Sequence, residues 1–261
     1  MSHEQIKMFD LPENCSKDVQ LQKIKHPVWT EKKAKLIQKY LYYFVLITKH
    51  GTYIDGFAGP QNENEQDSWS AKLVAESEPK WLRHFFLFDQ SQSQYECLIS
   101  LKESQSECPN RDINVYCGDF NQEIHTLLKK KPISDREATF CLLDQRTFEC
   151  HWSSVKTIAD YKTDGMKIEL FYFLPIGWLD RSIASLKNTK IIEKWWGNKG
   201  WEILKDLKPY ERAEKFCDKF KNELGYIHVK PWPIYEMRGG GRIMYFMIAI
   251  GRLKNIFKCT S

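Results

Sequence analysis

The stretch 53–60, which reads YIDGFAGP, decides the fold, because it joins the end of an apolar run to an acid and a glycine turn. Residues 51–54 have the composition of a buried strand, and Asp55 ends it. Gly56 and Gly59 let a backbone approach a ligand closely, since neither carries a side chain. The spacing is neither G-x-G-x-x-G nor that of a phosphate-binding loop, so a dinucleotide and a nucleoside triphosphate are both disfavoured.

The next apolar runs repeat this pattern of a strand that leads to a polar residue. Strands are predicted at 84–88, 113–116, 138–143 and 167–173. The aspartates that follow the first three of them are Asp89, Asp119 and Asp144. Helices are predicted at 30–50, 70–77, 91–102, 121–130 and 152–161. Because apolar strands that alternate with helices are buried on both faces, the sequence predicts a parallel sheet between two helical layers.

The last third of the chain has a different pattern. Two helices are predicted at 182–196 and 210–224, followed by two strands at 226–237 and 242–250. The loop 238–241 between these strands contains three glycines, which suit a chain reversal. We therefore expect the sheet to close with an antiparallel hairpin.

Together these elements predict an α/β fold of the Rossmann-like kind. The sheet is expected to be mainly parallel and seven-stranded, with a C-terminal antiparallel hairpin and a helical insertion that caps the domain at about 182–224. The domain is expected to span 30–255, after an irregular N-terminal lead-in at 1–29.

Composition limits the class of protein. The 261 residues carry a formal charge of +5, which permits an anionic partner without requiring one. The apolar run 40–48 is too short for a membrane span, and the polar residues 1–20 predict no secretory signal. The eight cysteines include no C-x-x-C pair, so we predict no metal site and no disulfide framework. We interpret the cysteines, including Cys117 and Cys141, as buried reduced thiols of a cytoplasmic protein.

The predicted strand ends supply candidate ligand-binding residues. In an open α/β sheet, ligands bind outside the carboxyl ends of the strands, where the strand order reverses. Asp89 ends the second strand, where an acid can bind the hydroxyls of a ribose. Asp119 follows the third strand, with Gly118 leaving room for a flat ring and Phe120 available to stack on it. These acids are also typical of helix N-caps, so the two interpretations stand side by side.

Basic and aromatic residues allow two further interpretations. Short lysine runs at 32–33 and 129–131 are typical of solvated helix ends. The stretch 187–208 interleaves six lysines with Trp195, Trp196 and Trp201. Such a pattern is typical of a groove for single-stranded nucleic acid and also of the core of a helical cap.

Taken together, the motifs resemble the class I S-adenosylmethionine-dependent methyltransferases. They are most similar to the three-Cys-motif partner proteins of bacteria and phages. The matching pieces are the turn 55–60, Asp89, the pair 118–119, the pair 143–144 and the closing strand that begins at Arg242. The resemblance covers roughly 30–255 and implies a class I methyltransferase fold that uses S-adenosyl-L-methionine as cofactor.

The resemblance also implies roles for single residues. Those implied to bind the cofactor are Asp55, Gly56, Phe57, Ala58, Gly59, Asp89, Gln90, Gly118, Asp119 and Phe120. Asp55 would lie near the amino group of the cofactor's methionine end, Asp89 at the ribose and Asp119 at the adenine. Asp144 and Phe148 would be the catalytic pair at the methyl acceptor. The acceptor side would also include His151, Trp152, Trp178, Arg238 and Arg242.

The segment 144–148, which reads DQRTF, departs from the pattern of the nucleic-acid amino-methylases. Those enzymes follow the acidic or amide residue with two prolines and an aromatic that stacks on a flipped base. Two interpretations therefore stay open. One is a methyltransferase that acts on DNA or RNA; the other is a catalytically lapsed, cofactor-binding scaffold that partners a three-Cys-motif protein. A metal-dependent nuclease is disfavoured, because no D-x-D or E-x-K arrangement clusters the acids.

Overall fold

The computed structural model describes residues 28–29, 33–62, 65–108, 110–185, 188–237 and 240–251. The strands are Val28–Trp29 (β1), Gly51–Asp55 (β2), Leu82–Asp89 (β3), Asp112–Cys117 (β4), Thr139–Leu143 (β5), Glu169–Leu174 (β6), Val229–Met237 (β7) and Gly240–Ile250 (β8). The helices are Lys33–Thr48 (α1), Ser70–Glu76 (α2), Gln92–Ser104 (α3), Phe120–Lys129 (α4), Trp152–Ala159 (α5), Leu179–Ser185 (α6), Lys190–Trp196 (α7) and Pro209–Asn222 (α8). Short 3-10 helices lie at Gln66–Ser68, Ile176–Trp178 and Lys199–Asp206.

The strands form one sheet in the order β1-β7-β8-β6-β5-β2-β3-β4. Strands β2 to β6 pair in parallel, and β8 is antiparallel to both β6 and β7. This order confirms the predicted Rossmann-like α/β fold, with its mainly parallel sheet and its closing antiparallel hairpin. The sheet contains the seven predicted strands and one more, β1, which was not predicted. β1 is a two-residue strand in the expected irregular lead-in, and its Val28 pairs with Ile234 of β7. Residues 1–27 lie outside the described part of the chain.

Both faces of the central strands are buried, as the uninterrupted apolar runs predict. Tyr53 and Phe140 face α1, and their rings stack with centroids 6.2 Å apart. The next residues along the two strands, Ile54 and Cys141, belong to the core on the other face. Successive strand residues point to opposite faces, so a strand that is apolar throughout requires cover on both sides. Cys117 corrects the expectation of buried thiols, because it ends the outermost strand β4 and is exposed.

The chain between β6 and β7 covers one face of the sheet. The helix predicted at 182–196 is instead two helices, α6 and α7, and residues 186–187 between them are outside the described part. Helix α8 packs on the sheet through Phe216, whose ring lies 5.8 Å from that of Tyr172 in β6. Trp195 of α7 contacts the same Phe216 ring at 4.8 Å. Among the described helices, none combines the length and apolarity needed to cross a membrane.

Candidate functional site

The strand order places a crevice at the carboxyl ends of β2 and β5. From β2 the chain continues outward to β3 and β4, then returns to β5 on the opposite side of β2. Asp55 ends β2 and Asp89 ends β3, while Asp119 and Asp144 follow β4 and β5. Because the strands are parallel, the four acids lie along one edge of the sheet. A reversal of strand order at such an edge is where open α/β sheets bind ligands.

The glycine turn 56–59 is tied to both neighbouring strands by backbone hydrogen bonds. The Gly56 amide donates to the Leu142 carbonyl at 3.0 Å, and the Ala58 amide donates to the Phe88 carbonyl at 2.8 Å. The indole of Trp69 donates to the Ala58 carbonyl at 2.6 Å. The turn therefore has a fixed position at the mouth of the crevice.

Gly59 brings the turn against the end of β3. Its amide donates to Oδ2 of Asp89 at 3.0 Å. A Cβ atom at position 59 would lie 2.6 Å from Asp89 Oδ2 and 2.6 Å from Oε1 of Gln94, so only glycine fits. The Gln94 Oε1 atom is buried and has no hydrogen-bond partner among the described residues. A buried acceptor of this kind fits a ligand that donates a hydrogen bond beside the turn.

Asp55 is a fully enclosed carboxyl group whose proton is tightly held. Its oxygens accept hydrogen bonds from the Tyr53 hydroxyl at 2.7 Å and the Phe57 amide at 3.2 Å. Burial raises the pKa of Asp55 to about 7, against the lowering effect of these two donors, and the charges of Asp144 and Asp89 raise it further. At neutral pH the group is therefore poised to become an anion when a cation enters the crevice.

This pKa predicts how stability depends on pH. The native state binds the Asp55 proton more tightly than the unfolded chain does, so the stabilisation is complete below about pH 4 and is lost as the pH rises through about 7. Asp55→Asn removes this titration. Between pH 5 and pH 8, urea unfolding should show the stability of Asp55→Asn rising relative to wild type by about 3 kcal/mol. Asp112→Asn, at the exposed start of β4, is the control. If the stability of Asp55→Asn relative to wild type changed no more between pH 5 and pH 8 than that of Asp112→Asn, the raised pKa of Asp55 would be contradicted.

Asp144 is held by a lysine from the first helix. Lys33 Nζ lies 2.7 Å from Asp144 Oδ1, with the two side chains 7% and 11% exposed. The ammonium also lies 4.8 Å from the ring centroid of Phe173 and 4.9 Å from that of Tyr245. Between this pair, Asp55 and the glycine turn lies a cavity of about 50 Å³, which has room for a small polar group.

Lys33 was missed because the sequence pattern 32–33 predicts a solvated helix end. The signal was nevertheless present in the helical period. Leu36, Ile37 and Tyr40 follow Lys33 at the spacings i+3, i+4 and i+7, and all three are buried. Those spacings place Lys33 on the buried face of α1.

The acids after β3 and β4 contact the backbone and stay partly exposed. Asp89 Oδ1 accepts from the Ser91 amide at 2.9 Å, while its other oxygen holds Gly59. Asp119 is the N-cap of α4 and accepts from the amide of Asn121 at 2.9 Å. The Gly118 amide donates to the Asp89 carbonyl at 3.0 Å, which joins the two strand ends. The N-cap interpretation is thus confirmed for Asp119, and both residues remain partly exposed.

The predicted aromatic contacts lie in the core. Phe120 is 3% exposed, and its ring lies 5.6 Å from that of Phe57. Phe148 is 6% exposed and packs against Trp195 at 4.9 Å. Trp152 is 5% exposed. All three side chains are enclosed in the core, so their roles at the site stay predictions.

The other predicted site residues are less enclosed. Gln90 and Arg242 are exposed, and Arg242 Nε lies 3.5 Å from Oε2 of Glu236. His151 is half-buried, and burial lowers the pKa of its imidazole. Two predicted residues cannot be placed in this way: Arg238 and the side chain of Trp178 lie outside the described part of the structure. Within the described ranges, no three His, Cys, Asp or Glu side chains group closely enough to hold a metal ion.

Comparisons with known proteins give similarity in structure alone. No protein-family model and no curated protein matches the chain. Among solved structures, the chain is similar to the methyltransferase domain of bacterial CtHen1-CN, with 13% identity, 85% of this chain and 100% of that one covered and a TM-score of 0.47. It is also similar to an O-methyltransferase from Bacillus cereus in complex with SAH (9%, 90% and 94% covered, TM-score 0.44) and to protein LPL1258 from Legionella pneumophila (11%, 85% and 85%, 0.46). Similarity of this degree assigns no activity, so the function must be inferred from this chain's own residues.

Proposed function

We propose that this protein is an S-adenosylmethionine-dependent methyltransferase that binds its cofactor at the carboxyl edge of β2, β3 and β5. One observation carries the proposal: the cavity at the reversal of strand order is lined by the glycine turn, Asp55 and Asp144. The fold alone would not suffice, because many activities share it. The placement of these groups at the reversal is what supports cofactor binding.

The residues along this edge fit the chemical groups of S-adenosylmethionine. Asp55 faces the small cavity and would become anionic beside the cofactor's ammonium, which offsets the cost of burying the carboxylate. Asp89 and the unpartnered Oε1 of Gln94 lie together at the turn and would accept hydrogen bonds from the ribose hydroxyls. Asp119, at the next strand end, would accept a hydrogen bond from the adenine amine.

Methyl transfer asks little acid–base chemistry of the protein. When bound, the cofactor would supply an electrophilic methyl group to the acceptor's lone pair; its sulfur would keep the electrons of the broken bond, and a methylated amine would release its proton to solvent. This chain's residues would align the acceptor and exclude water. Asp144, fixed by Lys33 at 2.7 Å, would accept the hydrogen bond of an acceptor amine and orient its lone pair. We propose that the acceptor is a base of DNA or RNA.

A second candidate is a catalytically lapsed, cofactor-binding scaffold that partners a three-Cys-motif protein. The enclosure of the segment 144–148 in the structure favours this candidate. Asp144 is only 11% exposed and already paired, and Phe148 is in the core. Gln145 further fixes the segment, because its buried side chain accepts from the Cys150 amide at 3.1 Å and donates to the Phe173 carbonyl at 3.3 Å.

A transfer assay separates the two candidates. Tritiated S-adenosylmethionine is incubated with the full chain and with single- and double-stranded pools of DNA and RNA. We expect label in one pool, and we expect Asp144→Ala to reduce incorporation about 100-fold, because it removes the acceptor that aligns the amine. Asp112→Ala is the control and should retain full incorporation. Cofactor binding without incorporation into any pool would contradict the enzyme and support the scaffold.

A further inference from the structure

A cationic groove lies beside the candidate site, between α5 and α7. Its volume is about 680 Å³, and we call it the lysine groove after Lys156, Lys190, Lys194 and Lys199 on its walls. All four side chains are exposed. None of the four forms an ion pair in the part of the chain that the structure describes. Such a cluster of uncompensated charge favours an anionic partner.

The two carboxylates of the groove already have partners. Glu223 accepts from the indole of Trp152 at 2.8 Å and from Lys219 Nζ at 2.6 Å. Glu193 accepts from the hydroxyl of Thr189 at 3.2 Å. Because Lys219 offsets Glu223, the groove keeps an excess of positive charge.

The walls of the groove are firmly positioned. Gly197 ends α7 with φ at +97°, and a Cβ there would lie 2.6 Å from Cδ1 of Trp152. The turn that leads to Lys199 therefore lies directly on the buried indole. Lys190 and Lys194 are four residues apart on α7, which places their Cβ atoms about 5–6 Å apart on one helix face. Lys156 of α5 lines the same groove.

The groove adjoins the carboxyl edge of the sheet through His151. This residue directly precedes Trp152, and its amide donates to Oδ1 of Asn121 at 2.7 Å, on the helix that Asp119 caps. Burial is the largest cause that lowers the pKa of His151. The positive charge of Lys194 lowers this pKa further, and the negative charge of Asp119 raises it. One imidazole thus lies within reach of both the groove and the proposed adenine-binding acid.

We propose that the lysine groove binds the phosphodiester backbone of a single-stranded nucleic acid and directs it to the acceptor side of the carboxyl edge. Lysine ammonium groups bind phosphates as point charges and release counterions when they do so. The groove, about 680 Å³ in volume, is large enough to hold the sugar-phosphate chain of one strand. The direction towards the acceptor rests on the proposed function; binding in the groove does not.

The test uses the full chain without cofactor. A fluorescein-labelled single-stranded 12-mer is titrated by anisotropy at several KCl concentrations. Substitution of Lys156, Lys190, Lys194 and Lys199 by glutamine should weaken binding about 100-fold at 50 mM KCl and reduce the slope of log K against log salt by about 3. The matched control carries the same change of net charge at exposed lysines elsewhere, namely Lys102→Gln, Lys129→Gln, Lys130→Gln and Lys230→Gln. The affinity of this control variant for the oligonucleotide should stay within about threefold of the wild-type affinity.

Three results would overturn the proposal. They are equal losses in the two variants, an unchanged slope in the groove variant, and displacement of the oligonucleotide by polyglutamate of equal charge, which would indicate an acidic protein partner. The binding test contains no cofactor, so its result does not depend on methyl transfer. If the groove binds the oligonucleotide but the transfer assay shows no methylation, the groove assignment stands and only the proposed enzyme activity is contradicted. If the groove variant methylates nucleic acid as well as wild type does, the activity stands and the groove assignment is contradicted.

Discussion

Asp89→Ala is expected to weaken binding of S-adenosylmethionine about a thousandfold. The carboxylate has one oxygen on the Gly59 amide and the other on the Ser91 amide, at 3.0 Å and 2.9 Å. Alanine removes the proposed acceptor of the two ribose hydroxyls and releases the glycine turn from β3. Hydrogen bonds to a charged group contribute about 1.5–3 kcal/mol each, so two of them account for a loss of this size.

The matched control for Asp89 is Asp112→Ala. Asp112 is exposed at the start of β4, at the opposite edge of the sheet, where its carboxylate accepts from the Asn114 side chain at 2.7 Å. Calorimetric titration should show wild-type affinity for this variant. Affinity of Asp89→Ala within about threefold of wild type would remove the ribose role of Asp89.

Lys33→Met is expected to destabilise the fold by about 3–5 kcal/mol. Methionine keeps the apolar length of the side chain but leaves Asp144, which is 11% exposed, without its cation. An enclosed charge that loses its partner costs this much because it is neither solvated nor paired. Asp55, which lines the same cavity, adds like charge to the unpaired carboxylate as the pH rises. Urea denaturation at pH 8 measures the loss.

The double variant Lys33→Met/Asp144→Leu distinguishes an ion pair from simple packing. Removal of both charges eliminates the uncompensated carboxylate, so most of the lost stability should return. A loss in the double variant equal to the sum of the losses of Lys33→Met and Asp144→Leu would show that Lys33 and Asp144 are not energetically coupled. Lys35→Met is the control, because the Lys35 ammonium lies 3.6 Å from Asp67, whose side chain is 88% exposed. This variant should change stability by less than about 1 kcal/mol.

Much of the sheet could be predicted because buried strands have a recognisable apolar sequence pattern. Strands β2 and β5 are apolar throughout, and this pattern reports burial on both faces. Strand β1 could not be predicted, because two residues carry no period and its partner Ile234 is about two hundred residues away. Cys117 was misplaced for a related reason: an apolar run does not reveal which strand is outermost in the sheet.

The candidate site was predicted as a set of strand ends rather than as a network. The turn 56–59 and the acids at the strand ends follow directly from the sequence, since parallel strands bring their carboxyl ends to one edge. The enclosure of Phe148 could not be predicted, because it follows from the way that the side chain of Gln145 fixes the loop and from Trp195 on a distant helix. Contacts of this kind depend on tertiary structure and leave no local pattern.

The most direct measurement is calorimetric titration of S-adenosylmethionine into the wild-type full chain. The account predicts one site with a dissociation constant on the order of 10 µM, within the range usual for enzyme ligands. It also predicts that affinity increases from pH 6 to pH 7.5, as Asp55 ionises beside the cofactor's ammonium. Absence of heat, together with an unchanged melting temperature at millimolar cofactor, would contradict cofactor binding at the carboxyl edge.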